Sequence, residues 1–214
     1  MTGIFGQAFW DERYRSRSQL WSGEPNPHLV SQASEVSSGT ALDVGSGEGA
    51  DAIWLAEQGW QVTAVDVSTV ALRRGASRAA EVGADMARRI DWLHEDLLTW
   101  EGPKPDFYDL VSVQFMHLPK EPREALFRRL AASVAPGGTL LIVGHHPSDL
   151  QTTARRPPMP ELFFTASEVA ASLDPHAWEI VVDAAPERST TDPQGHTILI
   201  HDAVLRARRR PDSR

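Results

Sequence analysis

The sequence predicts an α/β fold: a doubly wound, mostly parallel sheet that closes with an antiparallel strand. Three observations carry this. Apolar runs at 62–65, 110–113 and 139–143 are nearly uninterrupted, as expected for parallel strands buried on both faces. These runs alternate with helix-like segments, giving a βαβαβ rhythm with right-handed crossovers. The last two strand-like runs have no helix between them, which makes them antiparallel neighbours.

The elements follow in order. Residues 8–20 read as a charged helix. "WSGEPNPHLV" is a turn-rich connector, because Pro25 and Pro27 forbid a regular helix across it. A short helix then runs to about Glu35. "TALDV" is the first strand, and "ADAIWLAEQ" is a helix stopped by Gly59. "WQVTAVDV" is the second strand, with Ser68 opening a helix that reaches Val82. A third strand lies within "RIDWLHEDL" and a fourth at 108–115. "KEPREALFRRLAASVA" is helical, "PGG" ends it, and "TLLIVGHH" is the fifth strand. Thr165 and Glu168 stand at capping-box spacing and start a helix. "AWEIVVDAA" and "HTILIHDAVLRA" are the sixth and seventh strands, with a tight turn in "TDPQGH" before the latter.

Bulk properties narrow the function. The chain has 214 residues, enough for one domain with a sizeable core. Its 21 Lys and Arg against 29 Asp and Glu give a formal charge of -8, which argues against a phosphate-tracking nucleic-acid surface. There is no cysteine, so disulfides, thiolate nucleophiles and Cys-ligated metals are ruled out. No apolar run approaches the roughly 20 residues that cross a bilayer, and the N-terminus lacks a signal-peptide core. The expectation is a cytoplasmic protein with a small-molecule substrate and neither nucleic-acid nor membrane partners. The basic end "RARRRPDSR" reads as a solvated tail.

The most informative stretch is "ALDVGSGEGADAIWLAEQG". Gly45, Gly47 and Gly49 stand at the exit of the first strand, the edge where open α/β sheets bind ligands. Glycine there lets backbone N–H groups and a helix N-terminus meet a ligand with no Cβ in the way. Asp66 ends the second strand, where a carboxylate can accept both hydroxyls of a ribose. This combination suits a dinucleotide such as NAD, and Gly45-x-Gly47-x-x-Ala50 fits the permissive form of that fingerprint. It equally suits S-adenosylmethionine (SAM). Three features favour SAM. An anion at Asp43 would repel a pyrophosphate but attract an ammonium and a sulfonium. Gly49 opens space for a methionine moiety. The sheet closes with an antiparallel strand.

The motifs "LDVGSGEG", "VTAVDVS", "HEDL", "YDLVSVQFMHL" and "APGGTLLIVG" stand in the order shown by the class I SAM-dependent methyltransferases, which this sequence resembles. "FWDERYRS", "LFFTASEV" and "PERSTTDPQGHTILIHDAVLRARR" are similar to the small tellurite-resistance-type members. The resemblance implies a Rossmann-like, doubly wound, seven-stranded sheet with an N-terminal helical lid. It implies one methyltransferase domain over 1–214: lid 1–36, SAM-binding core 37–146, substrate side 147–207 and basic tail 208–214.

It also implies residue roles. Asp43, Gly45, Ser46 and Gly47 would hold the methionine end of SAM. Asp66 would take the ribose, with Val67 beside the adenine. Asp96 would accept from the adenine amino group, with Leu97 packing there. Gln114 would sit beside the sulfonium. Tyr14 would close over the methionine carboxylate, with Arg13 or Arg17 paired to it, while Trp10 and Trp21 serve packing. Arg188 falls where the group carries a late-loop arginine and could bind an oxyanion. The alternative for Arg188 is a surface pair with Glu187 or Asp192. Where the acceptor arrives protonated, base candidates are His117, past the fourth strand, and His145 and His146, past the fifth. No metal set is expected, because adjacent strand residues point to opposite faces. The expected reaction is methyl transfer from SAM, yielding S-adenosylhomocysteine (SAH). The acceptor is a metalloid oxyanion, a thiol-like compound or a small natural product. An NAD-linked oxidoreductase and a non-catalytic SAM-binding protein are the alternatives.

Overall fold

A computed structural model describes residues 5–211. The order is α1 (Gln7–Arg15), α2 (Pro27–Ala33), β1 (Thr40–Val44), α3 (Ala50–Glu57), β2 (Gln61–Asp66), α4 (Thr69–Val82), α5 (Ala84–Ala87), β3 (Ile90–His94) and β4 (Tyr108–Gln114). Then follow α6 (Lys120–Ser133), β5 (Val134–His145), α7 (Ala166–Ala170), β6 (Trp178–Ala184), β7 (Glu187–Thr191) and β8 (Thr197–Arg209).

The strands form one sheet in the order β3-β2-β1-β4-β5-β8-β6, with β7 paired to β8 off this path. The first five are mutually parallel, and β8 runs antiparallel to β5, β6 and β7. Strand direction and the closing strand are as the sequence predicts. Alternate residues feed two cores, one on each face. Val111, Val113, Leu140 and Ile142 join Leu126, Phe127 and Leu130 of α6. Leu110, Leu141 and Val143 join Ala52, Ile53 and Leu55 of α3 and Leu29 of α2. Burial on both faces explains the unbroken apolar runs.

Local signals set many element ends. Ser68 accepts from the Ala71 amide and caps α4, and Thr165 and Glu168 form the predicted reciprocal box. Asn26 caps α2, whose first residue is Pro27, so that proline heads a helix rather than only interrupting one. In the 192–195 turn Asp192 accepts from the Gln194 and His196 amides, and Gly195 takes φ +87.

The structure adds three corrections. The first helix stops at Arg15 instead of running to 20, because a long-range contact described below captures the next segment. The turn in "TDPQGH" joins β8 to β7, a short strand not anticipated, rather than to β6. Arg208 and Arg209, expected in the tail, belong to β8, where Arg209 bonds Asp106 and the Val134 carbonyl. The remainder of that expected tail includes 212–214, which lie outside the described residues, as do residues 1–4 of the expected lid.

Candidate active site

The parallel sheet grows outward in both directions from β1, through β2 and β3 on one side and β4 and β5 on the other. The β1–α3 loop therefore emerges at the topological switch, where ligands bind in such sheets. There the Gly45 and Ser46 amides both donate to the Val65 carbonyl of β2, at 2.8 and 3.0 Å. Gly45, Gly47 and Gly49 have φ of +73, +53 and +80, the left-handed region that favours glycine.

Each glycine faces a different neighbour. A Cβ on Gly45 would lie 2.8 Å from Met116 Cε, and one on Gly47 would lie 2.9 Å from the Tyr14 hydroxyl. A Cβ on Gly49 would lie 2.4 Å from Trp92 Cη2. Gly49 thus gives way to the indole of β3, which corrects the expectation that it makes room for a methionine moiety.

Acidic groups crowd this loop. Asp66 accepts from the Gly47 amide (2.9 Å) and the Ser68 amide (2.7 Å), so it braces the loop directly. Asp43 is buried, and its Oδ2 has no protein partner. Asp51, in the first turn of α3, accepts from the Asn26 amide at 2.6 Å. Burial pushes all three carboxyls up, that of Asp51 to about 6. For Asp43, the charges of Asp51 and Asp66 add to the burial. Sequence reasoning missed Asp51; its only signal was an acid in the helical turn after the loop.

The N-terminal segment covers the loop. The buried Tyr14 hydroxyl accepts from Trp21 Nε1 at 3.0 Å. Burial, then the Asp66 charge, keep that phenol protonated. Asp11 fastens α1 to the head of α4 through the Ser68 hydroxyl (2.7 Å) and the Val70 amide (3.2 Å). Glu48, within the glycine loop and also unforeseen, accepts from the Leu20 amide (3.0 Å) and Arg74 (2.8 Å). This capture ends α1 early. Arg13 lies over both Trp10 and Trp21, at 5.4 and 5.9 Å. Trp21 is 47% exposed rather than a packing residue, and the Arg17 carbonyl accepts from Arg74.

The other predicted positions line neighbouring strand exits. The Val67 carbonyl accepts from His94 Nε2 at 3.0 Å. Asp96 Oδ1 accepts from the Leu98 amide at 3.0 Å, and Leu97 is buried in the core. Gln114 donates through Nε2 to Ser112 at 2.9 Å and leaves its Oε1 buried without a protein partner. Ser46 Oγ is likewise unpartnered.

The histidines divide. His117 and His145 stack, with ring centroids 5.2 Å apart, and His117 Nε2 and His145 Nδ1 are buried without protein partners. Burial, aided by Arg156 beside both, lowers His117 to about 4 and His145 to about 3. His146 instead caps a 3-10 turn: its Nδ1 accepts from the Ser148 amide at 3.2 Å and meets the Ser148 hydroxyl at 2.9 Å. His145, not His146, therefore shares the site with His117. Arg188 binds the fully buried Asp202 through Nε (2.5 Å) and a second nitrogen (3.2 Å), with His28 on the same carboxylate at 3.0 Å. It pairs with neither Glu187 nor Asp192, and it stands one strand from His145, whose register partner is Asp202.

The residues fit a SAM molecule. Asp43 Oδ2 and Gln114 Oε1 are buried acceptors without donors, as a cationic, amine-bearing ligand requires, and the loop presents backbone where side chains would clash. No group of three or more histidines and carboxylates among the described residues could hold a metal ion.

A sheet of this order with a glycine loop at its switch defines the class I methyltransferase fold. Residues 41–138 match the methyltransferase domain family. An uncharacterized methyltransferase of Mycobacterium tuberculosis is 42% identical over 102 residues, 48% of this chain and 48% of that one. The 2-heptyl-1-hydroxyquinolin-4(1H)-one methyltransferase of Mycobacteroides abscessus is 27% identical over 126 residues, 58% of this chain and 54% of that one. The chain thus spans about half the length of the curated relatives it matches. The crystal structure of TehB from Haemophilus influenzae superposes with a TM-score of 0.67 at 19% identity, over 94% of this chain and 66% of that one.

Proposed function

We propose that the protein transfers a methyl group from SAM to a small-molecule acceptor and releases SAH. The observation that carries this is the pair of buried, donor-less oxygens of Asp43 and Gln114 beside the glycine loop. An acid at Asp43, reinforced by Asp51 and Asp66, suits a sulfonium and an ammonium and opposes a pyrophosphate. This favours SAM over NAD. Curated relatives acting as methyltransferases, one named for a small hydroxyquinolinone, support the same reading.

When bound, SAM supplies an electrophilic methyl group. The chain's residues position and shield it. Asp43 and Ser46 would hold the methionine end against the backbone of Gly45 and Gly47, beneath Tyr14. Asp66 would bind the ribose through the lone pairs its two amide contacts leave free. Val67, Asp96 and Leu97 would border the adenine, and Gln114 would face the sulfonium. Alignment of this kind supplies on the order of 7–11 kcal/mol in favourable cases, so no acid–base residue is required for an acceptor that arrives ionised.

Titration calorimetry with SAM and SAH tests the reading. Binding should weaken at least about tenfold in Asp66→Ala, the loss of roughly 1.4 kcal/mol, and vanish in Gly47→Val. Absence of binding to the unaltered protein would refute it.

A further inference from the structure

We propose that the acceptor is a planar, conjugated organic acid, bound as its anion against Phe115, His117, His145 and Phe163 with Arg156 at its charged end. This rests on the methyltransferase reading and names its substrate class.

Three rings gather around His145. Phe115, His117 and Phe163 stand 4.8, 5.2 and 6.0 Å from it, centroid to centroid, tilted by 42°, 37° and 40°. The group adjoins the cofactor loop, since Met116, between Phe115 and His117, is the side chain that reaches Gly45. Phe115 holds φ +52, a conformation rarely adopted by a bulky residue, while its amide is fixed to the Val143 carbonyl at 2.8 Å. Backbone held this way is concentrated at binding sites. Within the cluster, His117 Nε2 and His145 Nδ1 have no protein partner, and buried polar atoms in that condition call for a ligand or water.

Two guanidiniums stand near these rings, each held by a buried acid. Arg156 is held by the buried Asp149 through Nε (2.9 Å) and a second nitrogen (2.7 Å), and Asp149 is itself fixed by the His201 amide. Arg156 and Arg188 both stand at this end of β5, because Asp149 is fixed to His201 and Arg188 binds Asp202, the register partner of His145. Both imidazoles stay neutral at pH 7 and are too weakly basic to strip a proton from an ordinary alcohol. An acceptor that arrives already ionised needs neither ring as a base. Neutral ring nitrogens and a guanidinium bind its anion, and the ring faces select a flat partner. In the transfer, the anionic atom forms the new bond to the methyl carbon and the C–S electron pair remains on sulfur. Both charges disappear and no proton moves.

The test is calorimetry on the full chain saturated with SAH, using four probes: salicylate, trans-2-hydroxycyclohexanecarboxylate, phenol and selenite. Salicylate should bind at least about tenfold tighter than each of the others. Arg156→Gln should cost about tenfold in salicylate affinity without changing that for SAH. Phe163→Leu should erase the preference over the cyclohexane acid, and His145→Gln serves the same purpose if that variant does not fold. Methyl transfer from labelled SAM should follow the same ranking. The proposal fails if any other probe matches salicylate, or if Arg156→Gln leaves salicylate binding intact. Loss of SAH binding by the unaltered protein would instead sink the methyltransferase reading beneath it.

Discussion

Gly49 and Gly75 close on the same indole. A Cβ on Gly75 would stand 2.5 Å from Trp92, as one on Gly49 would at 2.4 Å, so α3 and α4 both lean on that ring without side chains between. Gly75 sits within α4, where alanine is the better helix former. Gly75→Ala should nonetheless destabilise, by about 1–3 kcal/mol, read as a lower urea midpoint. A gain in stability would show that Trp92 can move aside. The three loop glycines were legible from their spacing, but their separate causes were not. Which residue meets each one depends on contacts made by β3, α1 and the stretch after β4. The histidines show the same limit. Sequence placed His145 and His146 together at a strand end, and only the cap that His146 gives to Ser148 decides which ring turns toward His117.

Among elements, those set by local chemistry were legible and those set by distant partners were not. The caps at Ser68 and Thr165 lie within three residues of the amides they satisfy, so sequence located those helix starts. The end of α1 depends on Glu48, a distant partner that diverts the chain at Leu20 and Trp21. β7 was missed because "ERSTT" is short and polar; pairing with β8 makes it a strand. Glu48→Ala should remove both the diversion and the Arg74 pair. Limited trypsin digestion should then cut after Arg15 or Arg17 several-fold faster than in the unaltered protein, in keeping with local opening of a loosened segment. An unchanged cleavage rate would mean that Asp11 alone holds the N-terminal segment.

At the level of the whole molecule, the doubly wound order was legible because burial on both faces leaves an apolar run that one chain segment displays by itself. Charge placement was less so: a total of -8 does not disclose that three acids surround one loop. That arrangement carries a signature in pH. The Asp51 carboxyl is raised by burial from its ordinary value of 3.8 to about 6 in the folded chain. Its contribution to stability is therefore complete below 3.8 and lost as pH rises through about 6. Asp51→Asn should exceed the unaltered protein by on the order of 1–2 kcal/mol at pH 7.5, with the gap closing toward pH 4. Urea unfolding at the two pH values checks this, and a gap that persists at low pH would reject the assignment. His117 and His145 act with the opposite sign. Their folded values near 4 and 3, against 6.5, withdraw stability on acidification below 6.5, equally in both proteins. Imidazole shifts followed by NMR should show these two rings still neutral at pH 5.5.

The crowding of Asp43, Asp51 and Asp66 has a consequence for resilience. Asp43, pressed by the charges of Asp51 and Asp66 as well as by burial, makes the protein by itself its own least comfortable form. Under the proposed function, a guest bearing both a sulfonium and an ammonium relieves that tension, whereas the remnant that keeps only the ammonium does so in part. On that reading the chain should keep the fresh nucleoside longer than the spent one, and the melting temperature measured with each should rank in the same order.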